Sequence, residues 1–239
     1  MKMNKSLLLV PALALTLQSA LAGDITGKIT LNGDAPADVV NDKIGSDPNC
    51  GPLRKGETVK VQFYMVDASK GLKDVIVSLK GVSAPSTGAA SAPVVLDQRG
   101  CEYVPTILAL QTGQKLTVKN SDPVLHNVHT NPKIDGNPAK NVAQGPGGGD
   151  LTFSYSKAEP FLKFNCDVHP WMFAWITVLD NPYFAVSAKD GTFKIGNVPP
   201  GKYTIEAVHR KASGGKPVSK EIEVKADGAK VDFTLDGPK

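Results

Sequence analysis

Beyond residue 22 the chain shows almost no helical periodicity. Its apolar residues alternate with polar ones in short runs, and Gly, Pro, Asn or Asp closes each run. Ile25, Gly27, Ile29 and Leu31 fall on one face of such a run, and Asn32-Gly33 ends it. A period of two places alternate side chains on opposite faces of a strand, so these runs cannot form amphipathic helices. Further strands are predicted over Val59 to Val66, Val75 to Leu79, Phe161 to Cys166, Phe173 to Leu179, Tyr203 to Val208, Glu221 to Val224 and Val231 to Leu235. Turn signals every ten or so residues indicate an all-β chain built as β-sandwiches. Two stretches read as loose connections: Ser83 to Pro93, and the glycine-rich run from Ala143 to Asp150.

The first 22 residues stand outside this pattern. Lys2 and Lys5 precede an apolar run from Leu7 to Leu17, and Ala20-Leu21-Ala22 supplies the small residues a signal peptidase cuts. This is the layout of a secretory leader, cleaved after Ala22. It predicts a periplasmic or secreted protein with no membrane span. With Lys2 and Lys5 set aside, the 27 basic and 23 acidic residues nearly balance. Such a balance favours neither nucleic acid nor an anionic membrane as partner.

Export implies a compartment where disulfides persist. The chain has 3 cysteines, so one must remain unpaired. Cys50 and Cys101 both sit in turn-like surroundings and are the natural pair. Their bond would close a loop of about 50 residues and stabilise the fold by about 4 kcal/mol on the chain-entropy model. Cys166 is then the free thiol, and its neighbourhood is chemically dense: Cys166-Asp167-Val168-His169-Pro170-Trp171-Met172, with Leu125-His126-Asn127-Val128-His129 upstream. A thiolate, two imidazoles and a thioether are the ligand set of a mononuclear blue-copper site, two His and one Cys in a plane with a distant Met. His126, Cys166, His169 and Met172 are therefore the candidate metal ligands. Cys166 ends one strand and Met172 precedes the next, so the turn between them can aim three donors at one point. Pro170 stiffens that turn. His129 lies three positions from His126 and points to the other face of an extended strand, so it is not counted as a ligand. His209 reads as a surface residue.

The stretch of about 85 residues holding these motifs resembles the cupredoxins, and its ligand loop resembles that of amicyanin. Gly113-Gln114 leading to Val118-x-Asn120, Pro123 to Val128, and Cys-x-x-His-Pro-x-Met carry the resemblance. It implies a Greek-key sandwich over residues 94–181 with one type 1 copper ion. It also implies that Asn127, next to the first histidine, ties the two ligand loops together. Asp167 departs from the neutral residues usual beside the ligand cysteine; it either favours Cu(II) or simply faces water. Trp171 and Phe173 flank the site, with Trp175 further along. Trp171 is a candidate for an apolar docking patch, while Phe173 and Trp175 read as core.

The flanking segments resemble two halves of one carboxypeptidase-regulatory-like (transthyretin-like) sandwich. That likeness rests on Gly27-x-Ile29-x-Leu31, the Leu72 to Leu79 strand, and Asp190-Gly191-x-Phe193-x-Ile195 followed by Pro199-Pro200-Gly201-x-Tyr203. It implies that residues 23–93 and 182–239 form one domain and that 94–181 is inserted into it. Two consecutive sandwiches with a boundary near residue 180 remain the alternative.

An exported carrier of single electrons between a cytochrome or oxidoreductase and another redox protein needs no catalytic base, and none is evident. A multicopper oxidase would need additional His-x-His pairs, and a dinuclear centre would need two Cys in one loop. An enzyme is therefore not expected. Copper delivery is the alternative function, or a structural interaction module without redox turnover. Delivery proteins are usually richer in Met and His than this chain.

Overall fold

The computed structural model describes residues 22–238. The expected leader, apart from Ala22, lies outside the described residues. No helix among the described residues is long and apolar enough to cross a membrane.

The fold is all-β. An N-terminal group holds β1 (Gly23–Asn32), β2 (Val39–Val40), α1 (Asp42–Ser46), β3 (Lys60–Val61) and β4 (Ile76–Lys80). A middle group holds β5 (Val94–Gln98), β6 (Tyr103–Val104), β7 (Ile107–Gln111), β8 (Leu116–Asn120), β9 (His126–Asn131), β10 (Lys140–Gln144), β11 (Leu151–Phe153), β12 (Glu159–Asn165) and β13 (Phe173–Leu179). A C-terminal group holds β14 (Phe184–Val186), β15 (Thr192–Val198), β16 (Gly201–Val208), β17 (Val218–Val224), β18 (Ala229–Lys230) and β19 (Phe233–Asp236).

The outer groups build one sandwich together. In one sheet β1 pairs antiparallel with β15 and parallel with β18 and β19; the facing sheet runs β14-β4-β16-β17. The inward face of β1 carries Ile25, Ile29 and Leu31, packed on Leu72, Leu79, Phe193, Ile205 and Phe233. Gly27 shares that face for a steric reason: a Cβ there would stand 1.8 Å from the Val231 carbonyl oxygen and 2.7 Å from the Phe193 ring.

The middle group forms the second sandwich, from sheets β10-β9-β12-β13-β7 and β11-β8-β5-β6. Its core is Leu96, Leu110, Leu116, Val118, Phe153, Leu162, Phe164 and Ile176, and Cys166 and Met172 belong to the same cluster. Leu162, Phe164 and Cys166 alternate along one face, as a half-buried strand requires. The two sandwiches meet through Ile76, Ile107 and Ala109, with Phe161, Trp175, Phe184 and Val186 around them. The Arg210 guanidinium lies over Trp175 at 4.5 Å and over Phe63 at 5.5 Å.

Four expectations change. The strand predicted over Val59 to Val66 shrinks to β3, with an isolated bridge from Val66 to Leu72. Val59 enters the middle core and Tyr64 the outer one, so this run serves two cores and cannot lie flat in a single sheet. Ile44, Cys50, Leu53 and Val59, from the segment expected to belong wholly to the outer sandwich, pack into the middle one. The expected loose stretch before Pro93 contains a 3-10 turn at Gly88–Ala90, anchored where Gln111 Oε1 accepts the Thr87 N–H at 2.8 Å.

His209 is not a surface residue; only 3% of it is exposed. Its ring packs on Tyr64 with centroids 5.1 Å apart, and Nδ1 accepts the N–H groups of Lys211 and Ala212.

Candidate metal centre

Three segments converge at one end of the middle sandwich. His126 opens β9, Cys166 follows β12, and His169 and Met172 lie in the turn leading into β13. The turn closes on itself: the Met172 N–H donates to the His169 carbonyl at 2.9 Å, and the Cys166 N–H to the Met172 carbonyl at 3.2 Å. These bonds hold Cys166 and Met172 at the mouth of the turn, where both strands enter the core.

The Nδ1 atoms of His126 and His169 are 3.0 Å apart, and Cys166 Sγ lies 3.9 Å from His169 Nδ1. Two nitrogens each about 2 Å from a tetrahedral ion would lie about 3.3 Å apart. Metal-capable atoms of His126, Cys166 and His169 all fall within 4.8 Å of one another. Exposure is 0% for His126, 1% for Cys166 and Met172, and 3% for His169. Three nitrogen and sulfur donors this close, in so dry a place, fit a single soft or borderline cation.

The thiol is prepared for ligation. Burial alone would push it up, yet its pKa is lowered, because the neighbouring His126 ring and the backbone N–H groups of Asn127, His169 and Val168 favour the thiolate. The N–H groups of Asn127 and His169 approach Sγ at 3.5 and 3.4 Å. The two rings differ. Burial opposes charge on His126, but Asp122 and Cys166 outweigh it and raise its pKa. Burial and the neighbouring His126 lower that of His169. Two imidazolium rings could not share so small a space.

Asn127 spans both ligand loops. Its Oδ1 accepts the Asp167 N–H at 2.6 Å and lies 3.2 Å from Cys166 Sγ, and its Nδ2 donates to Asn141. Asp167 is tied down rather than merely solvated: it binds His129 at 3.0 Å, Asn141 at 2.7 Å and Asn165 at 2.8 Å. His129 is thereby engaged with Asp167 and stands apart from the donor cluster. Half-buried Trp171 donates its Nε1–H to the Cys101 carbonyl at 3.1 Å, with its ring 5.3 Å from that of His169. Leu125 and Val168, one beside each histidine, are exposed.

Cys50 and Cys101 form a disulfide with an S–S length of 2.05 Å. The bond bears directly on the site. A ring nitrogen of His169 lies within 4.8 Å of the Cys50 sulfur and of an Asp47 carboxylate oxygen. A ring nitrogen of His126 likewise lies within 4.8 Å of the Cys101 sulfur and of an Asp122 carboxylate oxygen. The segment carrying α1 is thus stapled over His169, which explains how that side chain, though part of a turn, is withdrawn from water.

Sequence reasoning overlooked Asp122 and Asp47. Asp122 lies four residues before His126 in a Ser-Asp-Pro turn, a pattern common to turns with no role in a site. The Cys50–Cys101 pairing did carry a signal for Asp47, since it joins the segment around residue 50 to the middle group.

No family model matches the chain, and no curated protein does. Solved structures of amicyanin variants do match. A Cu(I) form of one and an oxidised form of another are 20% and 21% identical to this chain. Both have a TM-score of 0.33 and cover 43% of this chain and 97% of theirs.

Proposed function

We propose that this protein is an exported blue-copper electron carrier holding one copper ion between His126, Cys166, His169 and Met172. The observation that carries the reading is the approach of the two Nδ1 atoms to 3.0 Å beside the free, buried Cys166. Copper bound there would supply a one-electron couple between Cu(I) and Cu(II). Cys166 would supply a thiolate ligand able to couple the ion to its surroundings, His126 and His169 two imidazole nitrogens, and Met172 a weaker thioether donor. Asn127 and the backbone N–H bonds to sulfur hold the thiolate still in both oxidation states, which keeps reorganisation small. The burial of all four side chains excludes water from the site. Leu125 and Val168, the chain neighbours of the two histidines, are exposed and offer apolar surface where a redox protein can dock.

On this reading residues 1–22 are a cleaved leader and the protein works in the periplasm or outside the cell. It is not an enzyme. Residues 94–181 are a cupredoxin domain inserted into a carboxypeptidase-regulatory-like sandwich formed from 23–93 and 182–239, with the segment around α1 lent to the inserted domain. The alternative, copper delivery, requires ligands that a recipient can reach and displace; full burial of the four side chains disfavours it.

The test is a visible spectrum of the protein with Cu(II), before and after ascorbate. A strong thiolate-to-copper band that bleaches on reduction is expected, and Cys166→Ser should abolish it. A band that survives Cys166→Ser would refute the ligand assignment.

A further inference from the structure

Asp122 is a carboxylate in the wrong place for a turn residue: only 5% of it is exposed. Burying a charge without partners costs several kcal/mol, so what surrounds it must be specific. No lysine or arginine among the described residues pairs with it; the titratable side chain it meets is His126. Its Oδ1 accepts the Gly100 N–H at 2.6 Å, and its Oδ2 accepts the Cys101 N–H at 2.8 Å. Oδ2 also lies 2.9 Å from His126 Nε2. Gly100 and Cys101 both have positive φ, +64° and +56°. This left-handed turn aims two consecutive N–H groups at one carboxylate, and a non-glycine residue accepts that conformation only where its surroundings impose it.

The contact settles where the proton of His126 resides. An ionised carboxylate only accepts, so Nε2 must donate, and in the neutral ring Nδ1 then keeps its lone pair. That lone pair is on the side of His169 Nδ1 and Cys166. In the opposite tautomer the proton would sit on Nδ1, the nitrogen that faces His169 and Cys166, and that atom could not ligate. We propose that Asp122 is the positioning residue of the metal centre: it locks His126 in the Nε2–H tautomer and places a full negative charge behind that ring, favouring the higher oxidation state of the bound ion. The second half rests on the copper reading; the first does not. The Gly100–Cys101 turn that holds Asp122 also carries the disulfide to the segment over His169, so one local structure orients both imidazoles.

Two measurements test this. Long-range proton–nitrogen NMR on the metal-free protein, at a pH where the rings are neutral, should find His126 protonated at Nε2 alone. An Nδ1–H tautomer, or an average of both, overturns the positioning role without reference to copper. On the copper-loaded protein, Asp122→Asn removes the charge and should favour Cu(I) over Cu(II) about tenfold, a rise of about 59 mV for one electron. Asp122→Glu, which restores the charge, should move the potential back toward that of the parent protein. If Asp122→Asn retains the thiolate band at an unchanged potential, the electrostatic role fails while the copper reading stands. If the parent protein gives no band at all, the copper reading fails and the tautomer result still decides the positioning role. Should Asp122→Asn not fold, the tautomer in the parent protein remains decisive.

Discussion

Asn127 Oδ1 accepts the Asp167 backbone N–H at 2.6 Å, bridging residues 40 positions apart in the chain. The same oxygen lies 3.2 Å from Cys166 Sγ, so one amide sets the spacing between the loop that presents His126 and the loop that presents Cys166 and His169. Asn127→Ala would remove the acceptor of the Asp167 N–H from a part-buried bond. The expected loss is about 1 kcal/mol of stability in the metal-free protein, read from urea unfolding. A change below the error of that measurement would mean the two loops hold their spacing without the amide.

The disulfide staples the α1 segment over His169. Replacing Cys50 and Cys101 together by Ala should cost about 4 kcal/mol on the chain-entropy model. It should also uncover the site, so that Cys166, 1% exposed in the oxidised fold, reacts with a thiol reagent far faster than in the parent protein. Equal labelling rates in the two proteins would show that the staple does not control access.

Met172 offers the weakest donor of the four candidate ligands. On the copper reading, Met172→Leu should leave the ion and its thiolate band in place and shift the potential upward, since loss of a donor weakens Cu(II) more than Cu(I). Loss of copper on this substitution would instead make Met172 a principal ligand.

His209 gives the protein a pH dependence remote from the candidate metal centre. Burial, with Arg210 beside it, lowers its pKa to about 4. The unfolded chain takes up a proton near pH 6.5, whereas the folded ring stays neutral until about pH 4. Stability is therefore complete above about pH 6.5 and falls as the pH drops toward 4, by about 3 kcal/mol in all. In His209→Gln this part of the slope of unfolding free energy against pH should vanish. An unchanged slope would assign the acid sensitivity to other groups.

Arg210 clamps the two sandwiches by lying over Trp175 of the middle one and Phe63 of the N-terminal segment. Arg210→Ala removes both contacts and should cost about 1–2 kcal/mol. Trp175 fluorescence should shift with it, because the ring gains contact with water. Fluorescence identical to that of the parent would place the clamp elsewhere, in the apolar contacts around Ile76 and Ile107.

Much of this architecture is legible along the chain because strands and turns are local. Alternation marks β1, β12 and β13 within a residue or two, since each has one face in a core. Val59 to Val66 was misleading for the converse reason: alternation records that side chains are buried, not that one sheet buries them. The burial of His209 was invisible because it depends on Tyr64, far away in sequence, and on a chain reversal that turns two N–H groups onto its ring.

By itself, then, the amino-acid order determined the β-class of the chain, pointed to Cys50 and Cys101 as the natural pair, and grouped a thiol, an imidazole and a thioether within one short turn, because each depends on neighbours in the chain or on simple counting. Only the tertiary structure decided that His126 approaches that turn with Nδ1 inward, that Asp122 stands behind it, and that the α1 segment covers His169. Those relations join residues from separate loops, and their energies come from burial and hydrogen bonding, which exist only once the loops have met.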